Sequence, residues 1–107
     1  MKDDQAMVEG TFLISENGQE GTLVIGLNRP IQMAGEHESW SCPIRLTGLK
    51  GNGDFSIYGI SSLHACAMSL RFISTLLTDR MKQGNLSLAF LDGTACTVQD
   101  LEAYLLP

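Results

Sequence analysis

Three cysteines, two histidines and twelve acidic residues are the side chains of this 107-residue chain with chemistry to offer. Cys42, Cys66 and Cys96 are odd in number and widely spaced. Small secreted domains pair an even number of cysteines, and zinc sites place theirs in close C-x-x-C pairs, so the expectation is three reduced, mostly buried thiols and no metal. His64 and Cys66 stand two positions apart on what reads as a helix, where residues i and i+2 do not face each other; Ser62 and His64 fail the same test. Cys42 and His37 form a thiolate pair only if the chain between them folds back. Cys42 instead shares its alternation with Trp40 and Ile44, which is a core pattern. The carboxylate groups Glu16/Glu20, Glu36/Glu38 and Asp92/Asp100/Glu102 fall in or near turns, with no apolar pocket implied that would separate their pKa values for acid–base work. Gly48-x-x-Gly51-x-Gly53 precedes a strand and lacks the following Lys and helix N-terminus of a phosphate loop, so it reads as a hairpin turn. No cofactor and no catalytic residue is expected.

These groups must be positioned by elements whose periodicity is plain. Residues 8–15 alternate, with Val8, Phe12 and Ile14 on one side. Asn17-Gly18 turns the chain, and residues 22–28 put Leu23, Ile25 and Leu27 on one face of a second strand. Arg29-Pro30 ends it, and residues 33–38 read as a polar connection. A third strand over 39–48 places Trp40, Cys42, Ile44 and Leu46 together, and Pro43 within it argues for an edge position or a bulge. Residues 55–60 give a fourth strand, with Phe55 and Ile57 opposite Ser56 and Tyr58. Residues 62–83 carry Leu63, Cys66, Ala67, Leu70, Ile73, Leu77 and Met81 at helical spacing, with Ser61 or Ser62 as cap and Gly84 as stop. Residues 85–91 alternate weakly as a fifth extended segment, and Thr97-Val98-Gln99-Asp100 has the form of a helix start. The expected fold is a single α+β domain over residues 1–107, an antiparallel meander of four to five strands packed on one long amphipathic helix, with a short C-terminal helix.

Composition narrows the function classes. Forty-four per cent hydrophobic and 18% charged residues describe a globular chain, and seven Lys+Arg against twelve Asp+Glu give a net charge of -5. Such a domain is a poor partner for nucleic acid or anionic lipid. No apolar run approaches a membrane span, and the start of the chain has no signal-peptide pattern, so a cytoplasmic location is expected. Residues 61–84 hold Arg71, Arg80 and Lys82 against Asp79, so the helix is +2 and the remainder -7. The acid gathers in turns and ends, where it can steer a basic protein partner.

The segment Arg29-Pro30, a short acidic connection, Trp40-x-Cys42-Pro43-x-Arg45-x-x-Gly48-Leu49, Gly59-Ile60-Ser61-Ser62-Leu63-His64-Ala65-Cys66 and Ile73-x-x-Leu76 resembles a family of small bacterial proteins with a W-x-C-P strand. Ser61 replaces the acidic residue usual there, and His64 the Gln. The resemblance spans about residues 22–77, and proteins of this build are similar to immunity proteins of contact-dependent growth inhibition toxin systems. It implies a stoichiometric inhibitor without catalysis, whose partner is a cognate toxin domain, a basic protein such as a nuclease. The partner-binding residues then expected are Glu36, Glu38, Asp54, Tyr58, Asp92, Asp100 and Glu102, acidic or aromatic groups outside the core face. The alternative is a small ligand-binding or dimeric accessory domain, joined through the strand edge at Pro43 or the exposed side of the long helix.

Overall fold

A computed structural model describes residues 7–35, 39–51 and 53–107. The elements run β1 (Val8–Glu16), β2 (Gln19–Leu27), β3 (Ile31–Met33), β4 (Ser39–Thr47), β5 (Gly53–Gly59), α1 (Ser62–Lys82), β6 (Leu86–Ala89), β7 (Ala95–Cys96) and α2 (Val98–Leu105). The class is α+β, but the antiparallel sheet has, among the described residues, seven strands rather than four or five. β1, β2, β4 and β5 form the expected meander. β6 then returns to the far side of β1, and β7 pairs with β6.

The β1–β2 hairpin closes on Asn17 and Gly18, both at positive φ (51° and 85°), the twist-matched two-residue turn that an Asn-Gly step favours. β3 lies within the stretch that reads as a break and a polar connection. It continues the line of β2, since both pair with the same side of β4. Leu27 faces Ile44 and Ile31 faces Ser41, a change of register by one residue across 28–30.

That break decides between the edge and the bulge expected at Pro43: the edge is wrong, and the irregularity lies opposite it, where three residues, 28–30, span two of β4. β4 is an interior strand, flanked by β5 along its length and by β2 and β3 on the other side. The Pro43 carbonyl accepts from Asn28 N–H at 3.0 Å, so its ring nitrogen, which has no hydrogen to donate, faces Asn28 too. The Asn28 carbonyl is met instead by the Cys42 thiol at 3.8 Å. The sheet tolerates proline here because the missing donor falls where β2 gives way to β3.

One face of the sheet is buried. Phe12, Ile14, Leu23, Ile25, Leu27, Cys42, Ile44, Leu46, Leu86 and Leu88 form it, covered by Ile73 and Leu77 of α1 and Leu101 and Leu105 of α2. α1 is capped by the Ser61 hydroxyl accepting from His64 N–H, and Gly84 follows it at φ 82°. α2 opens with a complete capping box between Thr97 and Asp100.

The apolar stripe of α1 departs from its sequence pattern at the N-terminal end. Leu63 is 79% exposed and Ala67 is exposed, while Ala65 and Ser69 are fully buried. The cause is close packing at Gly59. A Cβ there would stand 2.5 Å from the Ala65 nitrogen, so the helix backbone rests directly on the end of β5 and only small residues fit between them. Ser69 is accommodated because its hydroxyl donates to the Ala65 carbonyl at 2.8 Å.

Candidate functional site

Both helices cover one face, which, among the described residues, leaves the other face of the sheet open. Alternation along each strand determines what it displays, and the register aligns those side chains into rows across the sheet. Glu9 of β1 faces Gly26 of β2, Gly26 faces Arg45 of β4, and Arg45 faces Asp54 of β5. Gly26 contributes no side chain, so the row reads acid, gap, base, acid. Arg45 donates Nε–H to Asp54 Oδ1 at 2.9 Å and an Nη2 hydrogen to Oδ2 at 3.4 Å. The gap is part of an open groove of about 490 Å³, with Val24, Gly26 and Pro43 in its lining and Glu9, Arg45 and Asp54 as its charges.

A second row lies nearer the end of β4. Ile31, Ser41 and Tyr58 stand side by side on β3, β4 and β5. Ile31 and Tyr58 are 55% and 57% exposed, and Ser41 between them is only 6% exposed. Met33 and Ser39 extend this apolar end of the face. The open face thus carries a charged middle and an apolar end.

Of the seven residues expected to bind a partner, the five that are described fall into two separate groups. Asp54 and Tyr58 share the open face, and Asp54 is engaged by Arg45. Asp92, Asp100 and Glu102 sit in the β6–β7 turn and on α2, at the far side of the sheet and against its other face. Five strand spacings separate β5 from β7, about 24 Å. Asp92 accepts from Thr94 N–H at 2.9 Å, which holds its carboxyl below the usual value, and Asp100 closes the α2 capping box. Two of these three carboxylates therefore serve local turns. Glu36, Glu38 and His37 lie outside the described residues.

Sequence reasoning missed Glu9, Gly26 and Arg45 as a set. Each belongs to a different strand, and only the register brings them into one row. The available signal was the outward parity of Glu9 and Arg45, with Gly26 breaking the outward side of β2.

The thiols and the described histidine are placed as ordinary structural groups. Cys42 and Cys96 are buried, Cys66 is half-buried, and all three are unpaired by disulfides. Burial, then the neighbouring Cys42 and a thiol hydrogen bond to it, pushes the Cys66 thiol up; burial, then the Asp100 charge, does the same for Cys96. His64 accepts from Ile60 N–H at Nδ1, 3.0 Å away, and so fastens the entry to α1. Among the described residues no group of three or more His, Cys, Asp and Glu could hold a metal ion. Nor, among the described residues, is any helix long and apolar enough to cross a membrane.

Comparison with known proteins brings one family into view. The family described as a domain of unknown function, DUF6968, matches residues 8–98, and the chain belongs to it. No curated protein and no solved structure matches the chain.

Proposed function

We propose that this DUF6968 member is a protein-binding module, an immunity protein that neutralises a cognate bacterial toxin domain by stoichiometric binding rather than by catalysis. The observation that carries the reading is the open face of the sheet, with its central row Glu9–Gly26–Arg45–Asp54 beside the apolar row Ile31–Ser41–Tyr58. Docking surfaces combine apolar and aromatic groups that lose water on contact with charged groups that set register and exclude wrong partners. The net charge of -5 favours a basic partner, and a nuclease toxin is basic where it takes a phosphate backbone.

Co-expression with the product of the adjacent open reading frame tests this. The expected result is a one-to-one complex and relief of that product's toxicity, with both reduced at least tenfold by Arg45→Glu or Tyr58→Ala. The side chains of Arg45 and Asp54 are 49% and 67% exposed, so Arg45→Glu is expected to leave the fold intact. No complex and no relief of toxicity overturns the proposal.

The groove favours a second reading, the small-ligand domain. About 490 Å³ falls within the roughly 300–1,000 Å³ typical of small-molecule pockets. Native mass spectrometry decides between the two: a small molecule retained on the purified chain, and lost in Arg45→Glu, supports the ligand reading.

A further inference from the structure

We infer that two copies of this chain associate through β5, edge to edge, and extend the sheet across a two-fold axis at Ser56. β5 pairs with β4 along all seven of its residues and, among the described residues, with no other strand. Exposed edges are normally blunted by lysine, proline, a bulge or a covering loop. The β5 sequence GDFSIYG contains no lysine and no proline, and its pairing with β4 runs without a bulge.

The hydrogen-bonding parity of β5 follows from Pro43. Its carbonyl points toward Asn28, away from β5, so the facing pair Pro43–Ser56 exchanges no backbone hydrogen bonds. The N–H and C=O of Asp54, Ser56 and Tyr58 therefore point to the open edge. In an antiparallel pair centred on Ser56, each copy's Ser56 exchanges both bonds with the partner's Ser56, and Asp54 does so with the partner's Tyr58. Phe55 then faces the partner's Ile57 on the buried side.

Charge and apolar area select a second copy as the occupant. Asp54 is the one charged residue on the strand, and Arg45 holds it within its own copy. In this register its nearest cross-strand neighbour is the partner's Tyr58. The partner's Asp54 lies four residues away, roughly 13 Å, beyond the Debye length at physiological salt. An isologous contact requires self-complementarity, and no like charges oppose each other here.

The helix above the edge supplies the rest of the surface. Phe72 of α1 packs on Phe55 with ring centroids 5.1 Å apart. Met68 and Leu76 lie one turn to either side of Phe72 on the same flank, Met68 37% exposed and Leu76 half-buried. Strand pairing sets these flanks of the two α1 helices against each other. A seven-residue edge with one helix flank amounts to on the order of 1,000 Å² in total, the lower end of specific interfaces, where association is weak enough to be concentration-dependent in the micromolar to millimolar range. The open face of the sheet remains uncovered and is doubled in length.

Sedimentation velocity from roughly 1 µM to 1 mM brackets such an affinity. The expected result is a rise from the 11.6 kDa of one copy toward twice that mass. Ser56→Pro removes an N–H that bonds nothing in its own sheet and is expected to weaken the dimer at least tenfold with an unchanged circular dichroism spectrum. Should that variant fail to fold, Ser56→Lys, at an exposed outward position, sets two ammonium groups face to face and carries the same expectation. A monomer across the whole range overturns the inference, as does a dimer of equal strength in the folded variants.

Discussion

The two faces of the sheet are built from the same strands and obey different physics. On the covered face every strand but β3 contributes apolar side chains to the core shared with α1 and α2, and removal from water is the dominant gain. On the open face the same alternation presents a salt bridge, a groove and an apolar end, none of which the fold needs for a core. Side chains on the first face are constrained by volume, and those on the second are free of that constraint. Substitutions on the two faces should therefore separate stability from binding.

The largest effect is expected at Leu77, which is fully buried on the inner side of α1. Leu77→Ala should cost about 2–5 kcal/mol in urea unfolding, through lost transfer energy and the cavity left behind. A change below 1 kcal/mol would mean that the helix does not seal this face. Gly59→Ala comes next. The new methyl meets the Ala65 backbone at 2.5 Å, so α1 must lift, at a cost of about 1–3 kcal/mol. Thr97→Ala breaks the α2 capping box and should lower stability by about 1 kcal/mol, with Thr97→Ser recovering most of it.

The thiols sharpen the comparison through pH. Cys66 and Cys96 have folded values raised above the ordinary 9.0, chiefly by burial. A group raised in the folded state favours folding while protonated. That contribution is complete below pH 9.0 and is lost as pH rises through the folded values. Urea midpoints measured from pH 8 to about 11 should fall, and the fall should be shallower in a Cys66→Ala, Cys96→Ala double variant. The smallest stability effect belongs to the open face. Arg45→Ala removes an exposed ion pair and should change stability by no more than about 1 kcal/mol while weakening partner capture. A loss of several kcal/mol would make the row a structural clamp.

Much of the fold was legible because it depends on local rules. The Asn17-Gly18 turn, the alternation of β4 and β5, the Ser61 cap, the Gly84 stop and the Thr97–Asp100 box are each specified within a few residues. β3 and β7 were not legible. Strands of three and two residues show no measurable period, and they exist because β4 and β6 offer them a pairing edge. Spacing alone places Leu63 and Ala67 inward, but the contact at Gly59 turns Ala65 and Ser69 to the sheet. Whether Pro43 marks an edge or an irregularity inside the sheet depends on what stands opposite its nitrogen, information held fifteen residues away at Asn28.

The candidate site divides along the same line. Asp54 and Tyr58 were recognisable as outward residues of a strand, and the acid balance was arithmetic. The row that joins Glu9, Arg45 and Asp54 across the gap at Gly26 is a matter of register, and so is the free edge of β5. By itself the sequence determined the elements, their apolar faces, the caps and the charge, because these follow from periodicity and neighbours along the chain. Tertiary structure alone decided which strands adjoin, which proline is tolerated and which distant charges share a surface. Those outcomes depend on hydrogen-bond pairing between segments, a free energy that no single segment contains.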